Sequence, residues 1–208
     1  MFRRRWGQQS AVYGLLGANV TVFDISVGQL KSDEKAAEYY GYKVKLIQGE
    51  MQDLSCFNDN TFDIVYQPIS IVFVPDVRIV YREVHRVLKK GELYRVAHIN
   101  PATYPVDFDG NGNGWDGIGY RITEPYRGGP VLRNDKGVEN MCEGKLTGEF
   151  RHTFSDIFNG LIETGMVING VWEEMIHLCH DLDAEPGTEE HKKNIVQLYF
   201  SILAQKAN

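Results

Sequence analysis

The sequence predicts an α/β protein with a doubly wound, mostly parallel sheet. Residues 19–24 contain four β-favouring side chains in a row without alternating polarity, which is typical of a short strand covered on both faces. A helical pattern follows from Val27 to Tyr40, and a second strand pattern runs from Val44 to Gln48. Strands that alternate with helices in this way predict a parallel sheet with helices on its faces.

The same alternation continues along most of the chain. The remaining predicted elements are helices at residues 7–16, 76–90 and 155–164, and strands at residues 62–66, 92–97, 166–173 and 195–205. Gly17, Gly41 and Gly91 fit the left-handed position that closes the first, second and third helix. We interpret the final strand as antiparallel to its neighbours, so the sheet is mixed at its C-terminal end.

Composition and charge exclude several classes of protein. With 43% hydrophobic and 24% charged residues, the chain is expected to form one globular domain over residues 1–208. The net charge of −6 argues against a nucleic-acid partner. No uncharged apolar run reaches the length that spans a membrane, so no membrane association is predicted. Three widely spaced cysteines suit a reducing compartment, and we expect a cytoplasmic protein.

The middle of the chain differs in composition from the rest. Residues 98–148 are rich in Gly, Asn, Asp, Pro and Tyr and contain no long periodic run. Such a segment is better interpreted as loops and short strands inserted over a site than as a second domain. This variable insertion would therefore determine the substrate.

Asp24 is the first candidate for a binding residue. It ends the first predicted strand, and the carboxyl ends of parallel strands are where open α/β sheets bind ligands. Its two oxygens can accept hydrogen bonds from both hydroxyls of a ribose. The alternative is that Asp24 only helps to start the next helix, where Ser26 and Gln29 form a capping-box pattern.

Four blocks of the sequence carry a resemblance to a known family. They correspond to a ribose strand, an adenine loop, a fourth strand and a helix-to-strand turn, at residues 22–26, 49–54, 60–65 and 84–93. In this order and spacing they resemble the class I S-adenosylmethionine-dependent methyltransferases of small-molecule type (methyltransferase type 11-like). The resemblance implies a Rossmann-like sheet, S-adenosyl-L-methionine as the cofactor, and methyl transfer to a small-molecule acceptor.

The resemblance also assigns roles to individual residues. Asp24 would hold the ribose hydroxyls, and Ile25 would lie against the adenine ring. Glu50 would accept a hydrogen bond from the exocyclic amino group, and Met51 would contact adenine through its backbone and side chain. Gln67 would sit beside the methionine portion of the cofactor.

The sequence departs from the family pattern at its start. Only Gly7 matches the glycine-rich turn, while Arg5 and Trp6 occupy other positions of that turn. Arg3, Arg4 and Arg5 cannot form a buried central strand, because unpaired buried cations are costly. We therefore expect a methyltransferase-like chain without its first strand and with weak cofactor binding. A non-catalytic remnant or binding protein stays open as an alternative, and a nicotinamide-dependent oxidoreductase is a less favoured one.

Two residues are candidates for contact with the methyl acceptor. His98 follows the predicted strand at residues 92–97 and could act as a base if the acceptor needs deprotonation. Tyr120 lies in the insertion and could contact the substrate. A structural role for His98 stays open, because the sequence does not fix its geometry.

The sequence predicts no metal site. Residues 107–113 match the first half of a calcium loop, but Ile118 stands where the second half requires a bidentate Glu. His177, Cys179 and His180 lack a fourth ligand and the regular spacing of a zinc site.

Overall fold

The computed structural model describes residues 8–106, 114–122, 125–130, 149–173 and 183–208. Within these residues the chain forms two compact units, one up to Cys56 and the other from Phe57 onward. The organisation of residues 1–208 as a single domain stays a prediction.

The first unit contains two strands and two helices in alternating order. They are α1 (Gln8–Leu15), β1 (Val20–Asp24), α2 (Val27–Tyr40) and β2 (Val44–Gln48). The two strands are parallel and in register from the pair Val20 and Val44 to the pair Asp24 and Gln48. The predicted βαβ arrangement is therefore confirmed, and the carboxyl ends of both strands lie at the same edge.

Local sequence explains where α2 begins and ends. The Ser26 side chain caps the first turn, accepting a hydrogen bond from the Gln29 backbone N–H at 3.3 Å. Gly41 ends the helix with a φ of 75°, a left-handed conformation that glycine adopts without steric cost. Both signals were predicted from the sequence.

A buried polar contact joins α1 to α2. The Ser10 hydroxyl donates to Asp33 Oδ1, and it also lies 2.9 Å from the Tyr42 hydroxyl. A Cβ at Gly14 would come within 2.2 Å of the Tyr42 ring, so only glycine fits there in the present arrangement. Helix α1 is thus held against α2 and against Tyr42, which follows α2, by hydrogen bonds as well as by packing.

The second unit is built on a four-stranded sheet. Its elements are β3 (Phe62–Gln67), α3 (Val77–Val87), β4 (Leu88–Ile99), β5 (Gly129–Pro130), β6 (Phe150–Arg151), α4 (Phe154–Glu163), β7 (Met166–Trp172), α5 (Glu189–Ile195) and β8 (Tyr199–Lys206). Short 3₁₀ turns occupy Ile69–Phe73 and Pro101–Thr103. The strand order is β3-β4-β8-β7, with β3 parallel to β4 and β8 antiparallel to both of its neighbours. The predicted mixed sheet with an antiparallel C-terminal strand is confirmed.

The core of this unit lies on one face of the sheet. Alternate residues of β4 and β8 point into it, and α3 and α4 supply the opposing side chains. Its fully buried members include Tyr81, Tyr94, Ile157, Leu161, Phe200 and Ile202. At the rim, Arg78 links the two helices by donating to Glu163 at 2.9 Å and to Asp156 at 3.4 Å.

The predicted helix at residues 76–90 is too long. It ends at Val87, and Leu88 begins β4 instead of closing the helix. Leu88 is fully buried and pairs with Phe62, so sheet pairing overrides the apolar helical pattern. Gly91 has a φ of 76° and lies where the register with β3 shifts, so it forms part of a bulge and not a helix end.

The predicted strand at residues 195–205 begins too early. Residues Glu189–Ile195 form α5, and β8 starts only at Tyr199. Thr188 caps this helix by accepting a hydrogen bond from the His191 backbone N–H at 3.2 Å. The helix has only seven residues, which is too short for a clear apolar period in the sequence.

We expect Gly160→Val to lower the free energy of unfolding by about 1 to 3 kcal/mol. A Cβ at Gly160 would come 3.1 Å from the Tyr81 ring and 3.3 Å from the Arg78 side chain, and the buried ring has no room to move. Gly28→Val in α2 is the control, since a Cβ there meets only the Ser26 hydroxyl oxygen at 3.6 Å. Urea denaturation of the two variants measures the difference, and equal losses would contradict the close contact between α3 and α4.

Candidate cofactor-binding site

Asp24 lies at the carboxyl end of β1 with an oxygen available for a ligand. Its Oδ1 accepts a hydrogen bond from the Ser26 backbone N–H at 2.7 Å, which helps to start α2. Within the described parts of the chain, Oδ2 has no protein partner. The two functions considered for Asp24 are therefore compatible, because helix initiation uses one oxygen and leaves the other. A half-buried carboxylate with one oxygen unused fits a ribose hydroxyl well.

The pKa of the Asp24 carboxyl is raised above its ordinary value. Burial is the main cause, the hydrogen bond from Ser26 opposes it, and the nearby carboxylate of Asp33 adds to it. The pKa of Asp33 is also raised by burial, although the hydrogen bond from Ser10 opposes the shift. The Asp33 carboxylate thus disfavours ionisation of Asp24 next to the predicted ribose position.

The backbone after β2 is tied to the end of β1. The Gly49 N–H donates to the Asp24 carbonyl oxygen at 3.1 Å. The Gln48 side chain donates to the Ile25 carbonyl oxygen, also at 3.1 Å. These bonds keep the segments that follow the two strands side by side.

The residues predicted to contact adenine lie on these two segments. Ile25 exposes 45% of its surface, so an apolar side chain is accessible directly after β1. Glu50 is exposed, and its carbonyl oxygen accepts from the Asp53 N–H at 2.9 Å to form a turn. Met51 follows it and is partly exposed. The first unit thus brings Asp24, Ile25, Glu50 and Met51 to one edge of its sheet.

Gln67 is the last residue of β3 and lies in the second unit. Its side chain is mostly buried, with 8% exposed, and its Oε1 accepts a hydrogen bond from the Tyr94 hydroxyl. Tyr94 lies on the adjacent strand β4 and is completely buried. This pair was not predicted from the sequence, because Gln67 and Tyr94 lie 27 positions apart along the chain.

His98 is buried inside β4 and does not lie in a loop. Its Nε2 is 3.1 Å from the Tyr81 hydroxyl, and its ring stacks on Phe200 with 5.5 Å between centroids. Burial, with a smaller contribution from His152, lowers the pKa of His98 to about 3. The imidazole is therefore neutral at pH 7, and its catalytic role stays a prediction.

Tyr120 lies in residues 114–122 and packs against α5. Its hydroxyl donates to the Thr188 carbonyl oxygen at 3.2 Å and lies 2.9 Å from His191 Nδ1. Its ring also contacts Trp115, with 5.2 Å between centroids. These contacts hold the segment in place, and contact between Tyr120 and a substrate stays a prediction.

Several residues that the sequence analysis considers lie outside the described residues. These are Gly7, the half calcium loop at residues 107–113, and the residues His177, Cys179 and His180. Where the structure does describe the chain, it contains no group of three or more His, Cys, Asp or Glu side chains arranged to hold a metal ion. In the same residues, no helix is both long and apolar enough to cross a bilayer.

Asp33 lies near the candidate site and was not predicted, although the sequence contains a pattern that indicates it. Asp33 lies on the same helical face as Leu30 and Ala37, and all of these are buried. A carboxylate on the buried face of a helix needs a polar partner, which here is Ser10. The spacing of Leu30, Asp33 and Ala37 was therefore sufficient to single out Asp33.

Comparison with known proteins agrees with this geometry. Residues 6–95 match a family model described as a methyltransferase domain. A protein of Bacillus subtilis strain 168, called uncharacterized methyltransferase YbaJ, is 34% identical over 168 residues, which cover 81% of this chain and 65% of that protein. The chain thus spans slightly less than two thirds of the length of this relative.

Solved structures show the same fold. The crystal structure of an S-adenosylmethionine-dependent methyltransferase from Mesorhizobium loti superimposes with a TM-score of 0.74 at 20% identity, covering 97% of this chain and 87% of the other. One from Methanosarcina mazei gives a TM-score of 0.62 at 20% identity, covering 95% and 86%. At this level of identity the likeness concerns the fold alone.

Together, the parallel βαβ unit ending at Asp24 and the mixed sheet with an antiparallel last strand define a Rossmann-like α/β fold. By sequence, residues 6–95 match the methyltransferase family, and solved structures with the same fold include S-adenosylmethionine-dependent methyltransferases. The half-buried carboxylate of Asp24 has the acceptor oxygens that a ribose requires.

Proposed function

We propose that the chain binds S-adenosyl-L-methionine and transfers its methyl group to a small-molecule acceptor. The observation that carries the proposal is Asp24, whose Oδ2 stands at the carboxyl end of β1 without a partner among the described residues. The family match over residues 6–95 covers the segments that carry Asp24, Ile25, Glu50, Met51 and Gln67.

The reactive methyl group belongs to the cofactor, which carries it on a positively charged sulfur. The work of the protein is therefore to bind, to orient and to exclude water. Asp24 accepts hydrogen bonds from the ribose, Ile25 and Met51 contact the adenine ring, and Glu50 accepts from its amino group. Gln67 contacts the methionine portion. His98 and Tyr120 remain candidates for contact with the acceptor.

Charge and cysteine content support the rest of the proposal. The net charge of −6 favours a small-molecule acceptor over a nucleic acid. The three widely spaced cysteines favour a cytoplasmic location.

Turnover provides the test of this function. The purified chain is incubated with S-adenosylmethionine and panels of phenols, amines, thiols and carbon acids, and S-adenosylhomocysteine formation is followed. The expected result is product formation with one acceptor class, strongly reduced in Asp24→Ala. Cofactor binding without turnover on any panel would favour the binding-protein alternative.

Cofactor affinity should depend on pH through Asp24. Only the ionised carboxylate accepts hydrogen bonds from both ribose hydroxyls, so affinity is constant at neutral pH and falls as the pH drops through the raised pKa. Asp33→Asn removes a nearby negative charge, and the fall should then move to lower pH. Glu34→Gln is the control, because Glu34 is the exposed neighbour on α2. Calorimetric titrations between pH 4 and pH 8 compare the three proteins, and identical profiles would exclude the influence of Asp33 on Asp24.

A further inference from the structure

Gln48 is the last residue of β2 and pairs with Asp24 in the parallel register. The Asp24 carbonyl oxygen has a backbone donor, because it accepts from the Gly49 N–H at 3.1 Å. The register ends at this pair, and the next carbonyl oxygen, that of Ile25, accepts from Gln48 Nε2 at 3.1 Å. A side chain thus supplies the hydrogen bond that strand pairing does not, and it ties the turn after β1 to the end of β2.

This hydrogen bond contributes little to stability by itself. Gln48 and Ile25 are both exposed, so water competes for the amide and for the carbonyl oxygen. A glutamine that holds one conformation also loses rotamer freedom. The effect of the bond is therefore mainly on geometry, since it restrains the one residue that separates β1 from Ser26, the N-cap of α2.

The backbone of Ile25 determines where its side chain lies. Isoleucine is branched at Cβ, which restricts rotation about χ1, so the direction of the side chain follows the backbone. With 45% of its surface exposed, Ile25 is restrained less by packing than a core residue is. A bond that holds its carbonyl group therefore also holds its apolar side chain in one place.

We infer that Gln48 is a positioning residue for the adenine ring: its amide holds Ile25 in place relative to Glu50 and Met51, which follow Gln48 on the same segment. The inference rests on the proposed function, which brings adenine into contact with these three residues. All of them belong to the first unit, so the arrangement is complete within it. Gln48 does not touch the ligand and acts through Ile25.

Three variants test this role. Gln48→Met keeps the length of the side chain and removes the donor. Gln48→His keeps a donor, because histidine Nε2 is as many bonds from Cβ as glutamine Nε2, and at pH 8 the ring is neutral. Gln205→Met is the matched control, since the Gln205 amide also donates to a backbone carbonyl oxygen of a neighbouring strand, that of Gly91 at 2.6 Å, but in the second unit.

Affinity for S-adenosylmethionine, measured by calorimetry at pH 8 on the full chain, gives the main result. Gln48→Met should raise Kd about 3- to 10-fold, the effect of one net hydrogen bond. Gln48→His and Gln205→Met should both stay within about 2-fold of wild type. The thermal midpoint of Gln48→Met should stay within about 3 °C of wild type, because the lost bond is exposed.

A double-variant cycle with Ile25→Ala separates positioning from direct contact. Ile25→Ala should weaken binding by itself, and adding Gln48→Met should cause less than about a 2-fold further loss, because Gln48 acts through the Ile25 side chain. A full loss in that background would overturn the inference, since Gln48 would then act on the ligand without Ile25.

The inference is also overturned if Gln48→Met binds like wild type, if Gln48→His binds as weakly as Gln48→Met, or if Gln205→Met weakens binding equally. A larger fall in the midpoint of Gln48→Met would overturn it as well, because the weaker binding would then come from unfolding at the strand end. In each of these cases wild-type binding is intact and the proposed function stands. A wild-type chain that binds no S-adenosylmethionine would overturn the proposed function itself, and the inference with it.

Discussion

Replacing Asp24 with alanine is expected to weaken binding of S-adenosylmethionine about 30- to 150-fold, or roughly 2 to 3 kcal/mol. The substitution removes the charged acceptor proposed to hold both ribose hydroxyls. It also removes the acceptor for the Ser26 N–H, which is 2.7 Å from Oδ1. The two losses have to be separated, because the second one affects the start of α2 and not the ligand.

The variant Asp24→Asn separates the loss of the ribose contact from the loss of the acceptor for the Ser26 N–H. The asparagine oxygen can still accept from Ser26, so the helix start is preserved, but the charge and one acceptor are lost. We expect an affinity between those of wild type and Asp24→Ala, with a thermal midpoint close to that of wild type. Calorimetry gives the affinities and circular dichroism the midpoints. Wild-type affinity in Asp24→Ala would remove Asp24 from the site.

The second large effect concerns stability at acid pH. The pKa of His98 is about 3 in the folded protein, because the ring is buried, and about 6.5 in the unfolded chain. Below pH 6.5 the unfolded chain binds a proton that the folded protein does not. The stabilisation is therefore fully present above pH 6.5 and is lost as the pH falls toward 3, at up to about 1.4 kcal/mol per pH unit.

A double variant isolates the contribution of His98. His98→Phe alone would keep the stacking on Phe200 but leave the Tyr81 hydroxyl without its 3.1 Å partner. Combining it with Tyr81→Phe replaces both polar partners by apolar groups, which is often nearly neutral. The pair should therefore flatten the pH dependence without a large loss of stability at pH 7. The stability of the double variant should still fall somewhat with falling pH, because burial also lowers the pKa of His152.

Urea denaturation at several pH values between 4.5 and 7 measures these slopes. The wild type should lose stability faster than the double variant as the pH falls. Equal slopes would mean that His98 is solvated or protonated in the folded protein. That outcome would also reopen its proposed contact with the methyl acceptor, since a group with a pKa near neutrality is the better general base.

Elements with local signals were predicted correctly from the sequence. The helix α2 has its capping residue Ser26 and its closing residue Gly41 in adjacent sequence, and both act as expected. The strand β1 was predicted because its apolar run is continuous, as in strands of parallel sheets. Asp24 followed from these elements, because its role depends only on where the strand ends.

Features that depend on distant residues could not be predicted in this way. The helix α3 ends at Val87 because Leu88 pairs with Phe62, a residue that precedes the helix by many positions. The hydrogen bond between Tyr94 and Gln67 depends on the register of β3 against β4, which the apolar pattern does not specify. The burial of His98 has the same origin, since its ring is covered by Phe200 of the last strand.

Titration of the purified chain with S-adenosylmethionine, and in parallel with NAD and NADP, tests the central claim most directly. The account predicts saturable binding of S-adenosylmethionine by calorimetry, and none of either nicotinamide dinucleotide. Asp24, the acidic residue at the end of β1, would serve both classes of cofactor, so the comparison of S-adenosylmethionine with the nicotinamide dinucleotides decides between them. Binding of a nicotinamide dinucleotide in place of S-adenosylmethionine, or of neither ligand, would contradict the account.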